Sequence, residues 1–163
     1  MNHATRIPVV ALTPGAHHHA RQFWQQQRHP AKAKQVYLNT LAVWAVQRYL
    51  QSQGILCDRD ASASWDPIQQ TLADIASLDL PGWGTLECRP VLPEATVCTV
   101  PPEVWGDRQG YLAVRLNREL TEARLLGWAP VANGDLPLAE LQPLAALVAL
   151  IVPTTEPYAD EAS

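Results

Sequence analysis

The chain has 163 residues, 47% of them apolar, and a net charge of −4, which suits one folded domain and excludes global disorder. Its three cysteines, Cys57, Cys88 and Cys98, are an odd number with no CxxC pair, so free thiols in a reducing, cytoplasmic compartment are expected. The longest apolar run, 144–152, is far short of the roughly 20 residues a membrane-spanning helix needs, and no basic start followed by an apolar run marks a secretion signal.

Taken in chain order, Ile7 to Leu12 reads as a short extended piece that Pro8 confines to a sheet edge or to irregular structure. Thr13 then offers an N-cap with Pro14 at the first helical position, and a first helix is expected to Gln27, burying Ala20, Phe23 and Trp24. His29 precedes Pro30 and is pushed out of helical geometry, so a sharp corner should separate this helix from the next.

The second helix, Pro30 to Gln53, is the strongest helical signal in the chain and is closed by Gly54. Tyr37, Leu38, Leu41, Trp44, Ala45 and Tyr49 fall on one broad arc, with Val43, Val46 and Leu50 on its flank. Only Lys32, Gln35, Asn39, Gln47 and Gln51 make a polar stripe. Such a helix needs cover on at least two sides and should contribute most to the core.

A polar link runs from Ile55 to Ser64, and Asp66-Pro67-Ile68-Gln69 then has the form of a capped, brief helix start. Residues 75–92 read as a β-hairpin, its turn Pro81-Gly82-Trp83-Gly84 supplied with positive φ by two glycines. A short strand is expected at Val97 to Val100, then a rigid turn at Pro101 to Gly106. The clearest alternation, Tyr111 to Asn117, pairs with Glu122 to Pro130 as a second hairpin, with Leu112, Val114 and Leu116 on one side. Asn133-Gly134-Asp135 turns the chain into a closing helix, 138–152, which Pro143 kinks or restarts and Pro153 stops.

Helices first and strands after give an α+β class. The expected architecture is an N-terminal helical hairpin whose long buried helix packs on a mostly antiparallel, four- to five-stranded sheet, with a short C-terminal helix. Residues 1–153 would form a single globular domain and 154–163 a disordered acidic tail.

Charge is divided along the chain. Before Asp58 there are six basic residues and no acidic one, so that part carries +6 and the remainder −10. Nucleic-acid binding through Arg21, Arg28, Lys32 and Lys34 is one reading, but these residues are scattered in sequence rather than clustered. Packing of the basic helices against the acidic remainder is favoured.

Candidate chemistry is sparse. His17, His18 and His19 would point about 100° apart on a helix, so they cannot converge on one metal ion. Glu87 and Arg89 flank Cys88, and Glu103, Asp107 and Arg108 follow. Two carboxylates near two guanidiniums could serve a small hydrolase, although ion pairs that fix a turn are the more ordinary use. There is no Walker loop, GxSxG, HExxH or dinucleotide glycine fingerprint. No cofactor or metal is therefore expected. The better lead is aromatic: Trp65, Trp83, Trp105 and Trp128 lie in or beside predicted turns or strand ends, and with Arg108 they are the candidate interaction residues, since Trp and Arg anchor interfaces.

The blocks KAKQVYLNTLAVWAVQRYLQSQGI, DASASWDP, LPGWGTLECRPVLP, PPEVWGDRQGYLAVRL and ARLLGWAP occur in order between about Leu12 and Leu150. They resemble the cyanobacterial domain-of-unknown-function family 1822. The resemblance implies a cytosolic cyanobacterial protein without established activity, of a class linked to regulatory roles beside alternative sigma factors, and so a transcription-related protein partner. The family supplies no catalytic residues to carry over. The expected function is a non-enzymatic protein-binding or regulatory module.

Overall fold

Thr13 begins the ordered helical region as its sequence dictates: its hydroxyl accepts from the Ala16 amide at 3.4 Å, and Pro14 occupies the first turn, where a missing N–H costs nothing. This computed structural model describes residues 7–25, 27–57, 74–106 and 108–155. Ahead of Thr13, β1 (Val9–Ala11) is an edge strand, as Pro8 requires. Helix α1 (Pro14–Trp24) ends three residues before the expected Gln27, and it buries Ala16, Ala20 and Phe23 but not Trp24, which is 46% exposed. That is a correction to the expected core. Trp24 is the last helical residue, so it projects off the final turn instead of lying over the sheet.

Helix α2 (Pro30–Ser52) matches its predicted span almost to the residue. From Asn39 to Gln47 every residue is buried, and Leu41, Val43, Val46 and Leu50 are fully enclosed. Each such side chain contributes about 1.5–3 kcal/mol. The polar stripe departs from expectation, because Asn39 and Gln47 are inside rather than solvated. Asn39 is compensated: its amide nitrogen donates to Asp74 Oδ1 at 2.7 Å, and its oxygen accepts from Gln35 at 2.8 Å.

The strands β2 (Ser77–Leu80), β3 (Gly84–Val91), β5 (Gly110–Leu116) and β6 (Glu122–Ala129) join β1 in a five-stranded sheet of order β1-β6-β5-β3-β2. Three of the four pairings are antiparallel, and β3 with β5 is parallel. The parallel pair follows from the long connection 92–109, which has room to cross back over the sheet where a tight turn could not. That connection carries β4 (Val97–Cys98) and a 3-10 turn at Pro102–Val104. β4 pairs with β7 (Leu136–Pro137), a strand the sequence did not announce, in a separate two-stranded sheet.

Alternation along β5 divides the core in two. Leu112, Val114 and Leu116 meet α1, α2 and the C-terminal helix on one face, with Leu86 and Cys88 of β3. Tyr111 and Ala113 face the other way with Val91 of β3, under a cover made by Cys98, Val100 and Val104. The closing helix begins later than expected: a 3-10 turn at Leu138–Glu140 comes first, and Pro143 restarts the chain as α3 (Leu144–Thr155). Pro153 does not stop it. In the last turn that proline removes a single backbone bond, and helical geometry continues two residues beyond. The predicted helix at Asp66 and most of the acidic tail lie outside the described residues, and no helix among the described residues is long and apolar enough to cross a membrane.

Candidate functional site

The predicted aromatic residues do not form one surface. Trp128 is 3% exposed and belongs to the helix-side core, with its backbone paired to Gln142 at 3.0 and 2.9 Å. It is therefore withdrawn as a surface anchor, because residues of β6 facing α3 are covered by that helix. Trp83 is half-buried at the β2–β3 turn and packs against the same core. Trp105 is 40% exposed on the opposite side of the sheet, its indole N–H donating to Val100 O at 2.8 Å. Trp65 lies outside the described residues.

Arg108 is likewise not a free surface residue. Its side chain is 13% exposed, and Nε donates to Glu87 Oε1 at 2.9 Å. Glu87 and Arg89 are two residues apart on β3, so both point to the sheet face away from the helices. Glu87 is wholly buried; its Oε2 accepts from the Ala76 amide at 2.8 Å and from Arg89 at 3.1 Å. Arg89 also donates to Asp74 Oδ2 at 2.9 Å. Burial opposes the Arg89 charge, but Asp74 and Glu87 outweigh it and hold its pKa above the ordinary value.

Glu103, grouped with Arg108 in the hydrolase reading, accepts instead from the Asp74 amide at 3.2 Å. Asp107 lies outside the described residues. The carboxylates and guanidiniums that are seen are thus bound to one another and to backbone, an arrangement that fastens the 74–77 and 100–108 segments to the sheet. The three adjacent histidines diverge, His17 toward Tyr37, His18 toward Gln22 and His19 edge-on to Phe23. Among the described residues no group of three or more His, Cys, Asp or Glu converges as metal ligands would.

The thiols are protected by burial, which pushes both Cys57 and Cys98 up to about 11. Cys88 is raised well above its usual value, first by burial and then by Glu87. None is activated as a nucleophile would be.

A different feature stands open. At the corner between α1 and α2, a concavity of about 400 Å³ is lined by Trp24, Pro30, Tyr37, Leu38 and Leu120, with Arg21 and Lys34 on its walls. Two further concavities, of about 410 and 450 Å³, each share Lys34 and Leu38 with it. Together they make a trough along one side of α2, reaching the exposed Leu92 and Val97.

Its walls are held in place by specific contacts. Trp24 and Tyr37 meet edge to face at 6.0 Å. His17 Nε2 lies 2.7 Å from the Leu120 carbonyl, which can only accept, so Nε2 donates there, and Nδ1 meets the Tyr37 hydroxyl 2.5 Å away. One imidazole therefore links α1, α2 and the β5–β6 turn. In that turn Leu120 adopts φ +57°, a left-handed conformation that costs a non-glycine residue about 1–2 kcal/mol. Asn117 holds the turn, its Oδ1 accepting from the amides of Thr121 and Glu122 at 2.8 and 3.0 Å. Leu120 thus forms part of the trough's wall in a strained backbone conformation.

The sequence contained one signal for this trough. Helix α2 is apolar on more sides than one sheet and one short helix can cover, so its Tyr37–Leu38 flank is left half-buried. Nothing in the sequence indicated that Trp24 would turn outward to line it.

A family model described as "Protein of unknown function (DUF1822)" matches residues 10–163. No curated protein and no solved structure matches the chain. The family match runs from within β1 to beyond α3 and so takes in both the buried ion-pair network and the trough; the chain belongs to the DUF1822 family.

Proposed function

We propose that this chain is a protein-binding module, regulatory rather than catalytic in its action, and that the trough along α2 is its docking surface. One observation carries the reading: Trp24, Leu92 and Val97 are large apolar side chains left exposed along the trough that the adjoining concavities form, while α2 is enclosed from Asn39 to Gln47. Exposed apolar surface gathered in a polar-rimmed groove is what partner recognition uses. The three free cysteines support action in a reducing compartment such as the cytoplasm, and a transcription-related partner in a cyanobacterial cell is the reading the family resemblance adds.

Affinity capture from cell extract tests this, with the native chain and the variant Trp24→Ala/Lys34→Glu compared side by side. Both substituted residues are exposed, so circular dichroism should be unchanged. A partner recovered in stoichiometric amount by the native chain and lost from the variant is the expected result. Equal recovery by both would move the docking surface elsewhere, and recovery of no partner by the native chain would remove the reading.

A further inference from the structure

We propose that the trough takes an acidic segment of a partner protein, anchored by large apolar side chains and carrying carboxylates beside them. The proposal deepens the protein-binding reading and rests on it. Lys34 stands at the centre, shared by all three concavities, and Arg21 stands on the wall nearest Trp24. Arg28 lines the concavity on the other side of the same tryptophan. Arg21 and Lys34 make no ion pair among the described residues. No acidic residue precedes Asp58, so α1 and α2 have no carboxylate to offer them. Among the described residues the one carboxylate along the trough is Glu94, which already pairs with Arg118.

Any segment that covers Trp24, Tyr37 and Leu38 strips water from the two cations beside them. Leaving a buried cation without a counter-charge is costly, whereas a carboxylate delivered with the apolar anchor offsets that cost and speeds encounter. A segment with neutral or basic flanks would leave the cost uncompensated. Nucleic acid fits less well, because its binding scales with the number of phosphates neutralised; here the cations are few and the floor between them is concave and apolar.

Selection from a random peptide library, with the full chain as target, tests the proposal. The same selection is run on Arg21→Glu/Lys34→Glu and on Trp24→Ala, all three confirmed as folded by circular dichroism. Peptides selected by the native chain are expected to carry Asp or Glu next to aromatic or Leu residues. They should bind the charge-reversed chain about tenfold or more weakly and weaken with added salt, and the charge-reversed chain should select basic flanks instead. Peptides that need Trp24 but ignore the charge reversal would overturn the acidic partner and leave the protein-binding reading standing. A selection with no peptide sensitive to Trp24→Ala would overturn that reading as well. Displacement of the selected peptides by a synthetic peptide of residues 154–163 would make this chain's own end the occupant, and displacement by single-stranded DNA would make it a nucleic acid; either overturns the proposal.

Discussion

Two residues with unusual backbone angles carry opposite expectations for stability. Gly127 has φ +155°, and a Cβ there would lie 2.6 Å from Gln142 O and 2.8 Å from Leu141 Cβ, so the approach of β6 to the 141–142 segment admits no side chain. Gly127→Ala should therefore lower stability by about 2–4 kcal/mol in urea unfolding. Leu120 is the opposite case. Leu120→Gly relieves about 1–2 kcal/mol of left-handed strain while giving up a half-buried side chain of similar worth. Its unfolding midpoint should move little, and capture of the proposed partner should fall; a large loss of stability would make Leu120 a core residue instead. Glu87 supplies a third test, since it is buried with two guanidiniums. Glu87→Ala leaves Arg89 with Asp74 alone and removes the carboxylate facing Arg108, with an expected cost of about 3–5 kcal/mol. A double-mutant cycle with Arg108→Met should return a coupling of about 1 kcal/mol or more, and additivity would mean the pair is idle.

At the scale of elements, α2 was legible because local rules acted together: a proline at its start, a glycine at its end and an unbroken run of helix formers. Its environment was not. Asn39 and Gln47 look solvent-facing on a helical projection, yet both are inside, because the 74–77 segment closes over Asn39 and supplies Asp74 as its acceptor. Gln47 has no such compensation, for its Oε1 is buried without a hydrogen-bond partner among the described residues. An unsatisfied amide oxygen costs about 1–3 kcal/mol, so Gln47→Met, which keeps length and volume, should raise the urea midpoint by an amount equivalent to about 1 kcal/mol. An unchanged or lower midpoint would show that the amide is used. The two β-hairpins were legible, the first from its glycine turn and the second from alternation. Their parallel junction through β3 and β5 was not, because strand pairing across an 18-residue connection leaves no trace in either strand's own pattern.

For the molecule as a whole, burial of Cys88 and Cys98 and partial burial of Cys57 yield a prediction about alkaline pH. Cys57 and Cys98 move from 9.0 in the unfolded chain to about 11, and Cys88 shifts the same way. A thiol whose folded pKa is raised contributes stability below its unfolded value and loses it as pH rises through the folded one. Thiolate absorbance should therefore appear near pH 9 in urea but only near pH 11 in the native protein, with stability falling across that window. Coincident titrations in the two states would mean the thiols are exposed. By itself the sequence determined where the two N-terminal helices and the two hairpins lie, the α+β class and the apolar character of one long helix, all set by contacts and conformational preferences within a few residues. Tertiary structure alone decided that Asp74 and Glu87 neutralise Arg89 and Arg108, that Trp128 is core and Trp24 is not, and that an apolar trough lies open beside Lys34. Each of those depends on which distant segment arrives to cover a side chain, and burial of that kind is a property of the assembled layers rather than of any stretch of chain.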